Sequence, residues 1–284
     1  MHENLFHDSK ISRLTEQALF EDIGFGDITS EATIPEEQLG SATFLVKENG
    51  IISGIELLEI IFRYVDGQVT VQTNTESGAM VSVGEKIATL DGPVRSILLG
   101  ERVALNFLQR MSGIATLTHK FVHAVAGTNA KITDTRKTVP GLRMLDKKAV
   151  FDGGGINHRF GLDQMVLIKD NHIAAAGNVT KAIHQCTNYL STRNIDVKVE
   201  VETTTLAQVE EVLQCSGVHR IMLDNFSVEE MKNAVQKINH KVEVEASGGV
   251  NLQTVRAIAE TGVDFISVGA LTHSPKALDI SLEM

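Results

Sequence analysis

Residues 134–172 read DTRKTVPGLRMLDKKAVFDGGGINHRFGLDQMVLIKDNH and gather groups that hold anions. Seven are basic (Arg136, Lys137, Arg143, Lys147, Lys148, Arg159, Lys169) and five acidic (Asp134, Asp146, Asp152, Asp163, Asp170). That is an excess of two positive charges in a chain whose net charge is −10. Arginine grips carboxylate and phosphate through a bidentate fork, and lysine serves as a movable point charge. With His158, His172 and the run Gly153-Gly154-Gly155, the stretch suits a pocket for a small molecule with several negative charges. Surface ion pairing is the plainer reading. It fits Arg143, Lys147 and Lys148, spaced along a predicted helix over 140–150, better than Arg136, Lys137 and Lys169, which end short apolar runs.

Composition narrows the function classes. With 43% apolar residues the chain can bury a large core, as one domain or two. It has no Trp and two Tyr, and its charge is negative, which argues against stacking on or coating nucleic acid. Cys186 and Cys215 make no disulfide framework or ligand cluster, so a reducing, cytoplasmic compartment is expected. The first residues lack the apolar core of a signal peptide, and no window is apolar for the roughly 18 residues a membrane span needs.

Positioning these side chains requires two regimes of secondary structure. An amphipathic helix is predicted over 9–21, then alternating runs SATFLVKENG, QVTVQTN and EKIATLDGPV of a small antiparallel unit, with a helix over 54–64 between two of them. A long helix follows from Ser96, with a break expected near Ser112-Gly113, and it carries Arg102. Beyond residue 130, apolar runs recur at 130–134, 164–170, 196–202, 219–225, 241–247 and 264–270. Helical patterns over 178–190, 204–215, 227–239 and 250–261 separate the later ones. Six such units predict a parallel sheet with right-handed crossovers, a βα barrel short of the standard eight. Val197, Val199 and Val201 alternate with Lys198, Glu200 and Glu202, and Val242, Val244 and Ala246 with Glu243, Glu245 and Ser247. The apolar face must pack on helices, so the charged face points into the barrel, where the cations ending the strands near 135 and 169 are its expected partners.

Barrel chemistry sits where strands end. Those positions hold Thr135-Arg136-Lys137, Lys169 with His172, Glu202, Asp224-Asn225, Ser247-Gly248-Gly249 and Gly269-Ala270. Glycine turns after the last two strands suit a phosphate cradle of backbone N–H groups. Glu202 and Asp224 offer hard oxygens for Mg²⁺ or sugar hydroxyls. Such a pocket would join a phosphorylated sugar to a carboxylate-bearing partner.

The blocks TRKTVPGLRMLDKKAV, GGGINHRFGL and VLIKDNH, with ERVALNFLQRMSGIAT before them and VEVE, LDNF, EASGGV and SVGALTHS after, resemble the quinolinate phosphoribosyltransferases. Val139, Asp146 and Phe151-Asp152 depart from the usual pattern. The resemblance implies an N-terminal α/β sandwich domain (1–110, rejoined by 272–284) and a C-terminal open α/β barrel (111–271) carrying the active site. It implies transfer of phosphoribose from phosphoribosyl pyrophosphate to the ring nitrogen of quinolinate with decarboxylation, and Mg²⁺ as cofactor. It also implies a homodimer, or an assembly built on one, in which Arg102 reaches the neighbouring site. By the same resemblance Thr135, Arg136, Lys137, His158, Arg159 and Lys169 bind quinolinate. Glu202 and Asp224 lie near the ribose and Mg²⁺, while Ser247, Gly248, Gly249, Val268, Gly269 and Ala270 form phosphate loops with His273 nearby. Lys137, Lys169, Glu202 and Asp224 are the implied catalytic set. Rival readings are transfer to another pyridine or pyrimidine acid, a pyrophosphorylase-like protein associated with molybdenum transport, a Schiff-base aldolase using Lys169, and a non-catalytic store for phosphorylated acids.

Overall fold

The computed structural model describes residues 9–284; the first eight residues, part of the stretch read for a leader, lie outside the described residues. The chain forms two compact units. The first takes the described residues up to His119 together with Thr138–Gly154 and Ser274–Met284, and the second Lys120–Lys137 with Gly155–His273. This grouping differs from the expected division at 110/111: the segment 138–154 goes with the first unit. No described helix is long and apolar enough to cross a membrane.

In the first unit the strands are β1 (Leu39–Val46), β2 (Gly50–Ile51), β3 (Thr70–Thr73), β4 (Met80–Val81) and β5 (Lys86–Pro93). The C-terminal strand Ile280–Glu283 pairs antiparallel with β1, which pairs antiparallel with β5, which pairs antiparallel with β3. Helix Leu57–Val65 buries Leu57, Leu58, Ile60, Ile61 and Phe62. The long helix runs Val94–Ala124 without the break expected at Ser112-Gly113. Gly113 serves close approach instead, because a Cβ there would stand 2.1 Å from the Lys276 carbonyl oxygen. Helix Arg143–Asp152 forms where one was expected, but its charged face is not solvated. Lys147 and Lys148 are buried rather than solvated, and Lys148 pairs with Asp152. Asp146, fully buried, takes the Arg110 fork with two bonds of 2.9 Å.

The second unit contains all six expected parallel strands: β6 (Lys131–Thr133), β7 (Val166–Ile168), β8 (Val199–Thr203), β9 (Arg220–Asp224), β10 (Glu243–Ser247) and β11 (Phe265–Ser267). Their order is β6-β11-β10-β9-β8-β7, an open arrangement with β6 and β7 at its edges. The crossover helices start where side chains take orphan backbone N–H groups. Asn178 caps Val179–Thr192, Thr205 caps Leu206–Leu213, and Ser227 forms a reciprocal capping box with Glu230 for Val228–Ile238. The helix expected over 250–261 shrinks to Val255–Ala259, since turns occupy the residues after β10.

Register converts the alternating pattern into layers. Arg220 stands level with Glu200 on one side and Glu243 on the other, and Met222 with Glu202 and Glu245. Asp224 stands level with Ser247. Because side chains alternate along a strand, these form the inward face, while Val199, Val201, Ile221, Leu223, Val244 and Ala246 are buried on the other.

Gly113→Ala should lower unfolding stability by about 1–3 kcal/mol, and Gly67→Ala, where nothing lies within 4 Å of the added Cβ, by less than about 0.5 kcal/mol; urea denaturation of both variants checks this.

Candidate active site

At the C-terminal ends of the six strands lies a cavity of roughly 820 Å³, lined wholly by second-unit residues. One side is cationic. After β6 the chain places Thr135, Arg136 and Lys137 on the cavity wall, and the Lys137 N–H donates to Thr135 Oγ1 at 3.0 Å. Arg159 also lines it and donates through Nη1 to the Met165 carbonyl at 3.0 Å. Burial, then the charge of Arg136, lowers the affinity of the Arg159 guanidinium for its proton. Lys169, just after β7, is held by an N–H bond to His172 Nδ1 at 2.9 Å, and its Nζ donates to Glu202 Oε2 at 2.9 Å.

Across the opening, Glu202 and Asp224 present carboxylates from β8 and β9. Asn225 Nδ2 donates to Asp224 Oδ2 at 2.8 Å. The turns after β10 and β11 bring Ser247, Gly248, Gly249, Gly269 and Ala270 to the same cavity, with His273 beside them. Gly248 has φ +90°, and a Cβ there would sit 2.3 Å from Asn225 Oδ1 and 2.8 Å from its backbone nitrogen. Only glycine fits such a position. At Gly249, φ +61°, a Cβ would meet open space, which leaves the backbone accessible to a ligand.

Val268 falls elsewhere, and Arg102 is expected at the neighbouring chain's site rather than here. Val268 is 1% exposed and gives its N–H to the Thr133 carbonyl at 2.9 Å, so its side chain packs in the core rather than lining the cavity. Arg102 belongs to the first unit and is not part of the cavity wall; its side chain is exposed, 4.0 Å from Glu101.

The floor of the cavity holds groups that sequence reasoning only half found. Glu200 and Glu245 point inward as expected, yet their partners are not the cations at the strand ends. Glu245 Oε2 accepts from Arg220 Nη1 at 2.7 Å, and His158 Nε2 lies 3.0 Å from Glu200 Oε2 and 3.6 Å from Glu245 Oε2. Arg220 also reaches Glu243 and stacks 3.8 Å from the Phe265 ring centroid. Burial pushes the Glu200 carboxyl up to about 7 against the pull of Arg220. Burial, then the charge of Glu200, pushes Glu245 up to about 7. Glu200 Oε1 and Glu245 Oε1 are buried without a donor, which, like burial itself, favours the protonated carboxyls. Asp134, fully buried at the end of β6, accepts the His158 N–H at 2.9 Å and Asn157 Nδ2 at 2.7 Å. Arg220 was missed because RIMLD looks apolar, although the period-two reading of its neighbours places it inward, two steps below Met222 and four below Asp224.

An open α/β barrel whose mouth opposes a cationic rim to carboxylates and glycine turns defines a protein that binds a phosphorylated, acidic small molecule. Residues 27–112 match the N-terminal domain and residues 114–283 the C-terminal domain of quinolinate phosphoribosyl transferase. The chain belongs to that family. It is 50% identical over 282 residues to quinolinate phosphoribosyltransferase (decarboxylating) 1b of Nicotiana tabacum, covering 94% of this chain and 80% of the relative. The chloroplastic nicotinate-nucleotide pyrophosphorylase (carboxylating) of Arabidopsis thaliana matches with the same identity and coverage. The crystal structure of NadC from Streptococcus pyogenes superposes with a TM-score of 0.92 at 39% identity, over 97% of this chain and 96% of that one.

The raised carboxyl pair has a consequence for stability. Below about 4.5 both folded and unfolded chains hold these protons, while between about 4.5 and 7 only the folded chain does. Stability from this pair is therefore present at low pH and lost as pH rises through about 7. In denaturation measured from about pH 4.5 to about pH 7, the window between those values, the decline should be shallower for Glu245→Gln than for the wild type.

Proposed function

We propose that this chain transfers phosphoribose from phosphoribosyl pyrophosphate to the ring nitrogen of quinolinate, releasing pyrophosphate and CO₂ and giving nicotinate mononucleotide. The observation that carries the reading is one cavity with four cationic side chains, Arg136, Lys137, Arg159 and Lys169, set against two carboxylates and two glycine turns. A ring diacid needs several cations, and a sugar 5-phosphate needs the accessible N–H groups of Ser247–Gly249 and Gly269-Ala270.

In this reading the cationic rim holds the two carboxylates and aims the ring nitrogen at ribose C1. Glu202 and Asp224 stabilise the positive charge that grows on the sugar as the C1–pyrophosphate bond breaks. The same two carboxylates, hard donors on adjacent strands facing the cavity, fit Mg²⁺; when bound it supplies charge to the pyrophosphate leaving group. The nitrogen lone pair forms the bond to C1, which leaves the ring positive. The electron pair released when the adjacent carboxylate leaves as CO₂ is stabilised by that charge, and a proton from solvent then fills the position. Lys137 and Lys169 orient the substrate that undergoes this step. No protein nucleophile is required. Lys169, half exposed and bonded to Glu202, is unlike the buried, unpaired lysine a Schiff-base aldolase needs.

A homodimer completed by Arg102 of the neighbouring chain, and a cytoplasmic location, belong to the same proposal. The exposed, weakly paired Arg102 side chain supports the first, and the free Cys186 and Cys215 support the second.

Purified protein given phosphoribosyl pyrophosphate, Mg²⁺ and quinolinate should form nicotinate mononucleotide and evolve CO₂, and nicotinate should not replace quinolinate. A nucleotide from nicotinate without CO₂ would overturn the assignment. Arg136→Ala and Lys169→Ala should each reduce kcat/KM by about 10- to 100-fold. Mixed dimers of Arg102→Ala with Lys169→Ala chains should show activity above that of either variant alone; no such gain would refute a shared site.

A further inference from the structure

Beneath the rim lies a charged layer that the transfer chemistry does not itself use. Glu200, Arg220 and Glu245 rise from three neighbouring strands, β8, β9 and β10, and both carboxylates are completely buried. His158 bridges this layer to the cavity wall. Its Nε2 is 3.0 Å from Glu200 Oε2, and its Nδ1 accepts the backbone N–H of Arg159 at 2.8 Å. A ring nitrogen that accepts a hydrogen bond carries no proton, so the proton is on Nε2 and is donated to Glu200. Between the bridge at Ile156 and β7 the backbone forms no helix or strand. Side chains therefore set where Arg159 stands. Asp134 takes the His158 N–H, and Glu200 takes the ring.

We infer that Glu200, backed by Glu245 and Arg220, is a positioning residue for the acid-binding rim: it locks His158 in the Nε2–H form and, through the ring, fixes Arg159. The inference rests on the reading of the cavity as a ring-acid site. Arg220, bonded to Glu245 at 2.7 Å, supplies the positive charge that two buried carboxyls require. His158, Glu200 and Glu245 offer ligand atoms within 4.8 Å of one another, as a metal ion would need, but the guanidinium already fills that electrostatic role. The orphan oxygens Glu200 Oε1 and Glu245 Oε1 explain why glutamine should substitute well. Its carbonyl accepts from Nε2–H and its amide donates to Glu245, as a protonated Glu200 carboxyl would.

The test compares Glu200→Gln and Glu200→Leu with the wild type by two readouts. The first is KM for quinolinate and for phosphoribosyl pyrophosphate separately; the second is the ring ¹⁵N–¹H NMR pattern of ¹⁵N-histidine-labelled protein, with His158 assigned by His158→Gln. Wild type and Glu200→Gln should show Nε2 protonated and Nδ1 bare, with quinolinate KM equal within about threefold. Glu200→Leu should lose that pattern and raise quinolinate KM by about tenfold or more while phosphoribosyl pyrophosphate KM moves less than about threefold. An equal rise in both KM values, an unchanged quinolinate KM in Glu200→Leu, or a wild-type His158 protonated on Nδ1 would overturn the inference. If Glu200→Leu does not fold, a tenfold loss of quinolinate binding in Glu200→Gln would overturn it as well. Should the wild type form no nucleotide, the functional reading fails, and the NMR pattern still decides whether Glu200 fixes the ring.

Discussion

A charge placed inside a cylinder of parallel strands must find a partner within reach, and this requirement organises the second unit. Strand β9 carries Arg220 inward, level with Glu200 and Glu243, and the guanidinium bonds to Glu243 and Glu245. One step higher, Glu202 meets Lys169 at the rim. Uncompensated, any of these groups would cost several kcal/mol of desolvation. Compensated, they convert the interior of the barrel from an oily core into a polar scaffold that opens directly into the cavity. The valines on the other face of the same strands supply the apolar burial that such a scaffold lacks.

The electrostatics of the mouth follow from the same constraint. A chain of net charge −10 attracts anions only if its cations are gathered and its acids are held elsewhere or neutralised. Here Arg136, Lys137, Arg159 and Lys169 share one cavity, Asp134 is buried against backbone and amide donors, and Glu200 and Glu245 are shifted towards their neutral forms by burial. The cations can serve an anion because the buried acids beneath them are bonded to partners or shifted towards neutrality, not because acids are few.

The strands of the barrel were legible because each apolar run ended in Gly, Asn, Asp or a charge, and two of them alternated with period two. That alternation correctly aimed Glu200 and Glu245 inward, but their partners were not legible. Arg220 sits at the start of an apolar strand and His158 in an irregular segment, and neither carries a spacing signal that ties it to a carboxylate 42 or 25 residues away. Helix 143–152 forms as expected, but its solvated face does not, for a related reason. Lys147 and Lys148 have the composition of a wet face, and only tertiary packing buries them. Gly113 read as a break because glycine lowers helix propensity, whereas its role is contact with the Lys276 backbone, invisible to a local pattern. The resemblance assigns Val268 to a phosphate loop, but one residue beyond β11 its side chain lies in the core.

Gathered cations that recognise two carboxylates on one ring must distinguish a diacid from a monoacid. Calorimetric titration of the protein with quinolinate and with nicotinate at matched ionic strength tests this without reference to turnover. Quinolinate should bind at least about tenfold more tightly, as expected for one further charge-assisted contact, and added salt should weaken it more than nicotinate. Equal affinities with the same salt dependence would show that the cations do not read the second carboxylate.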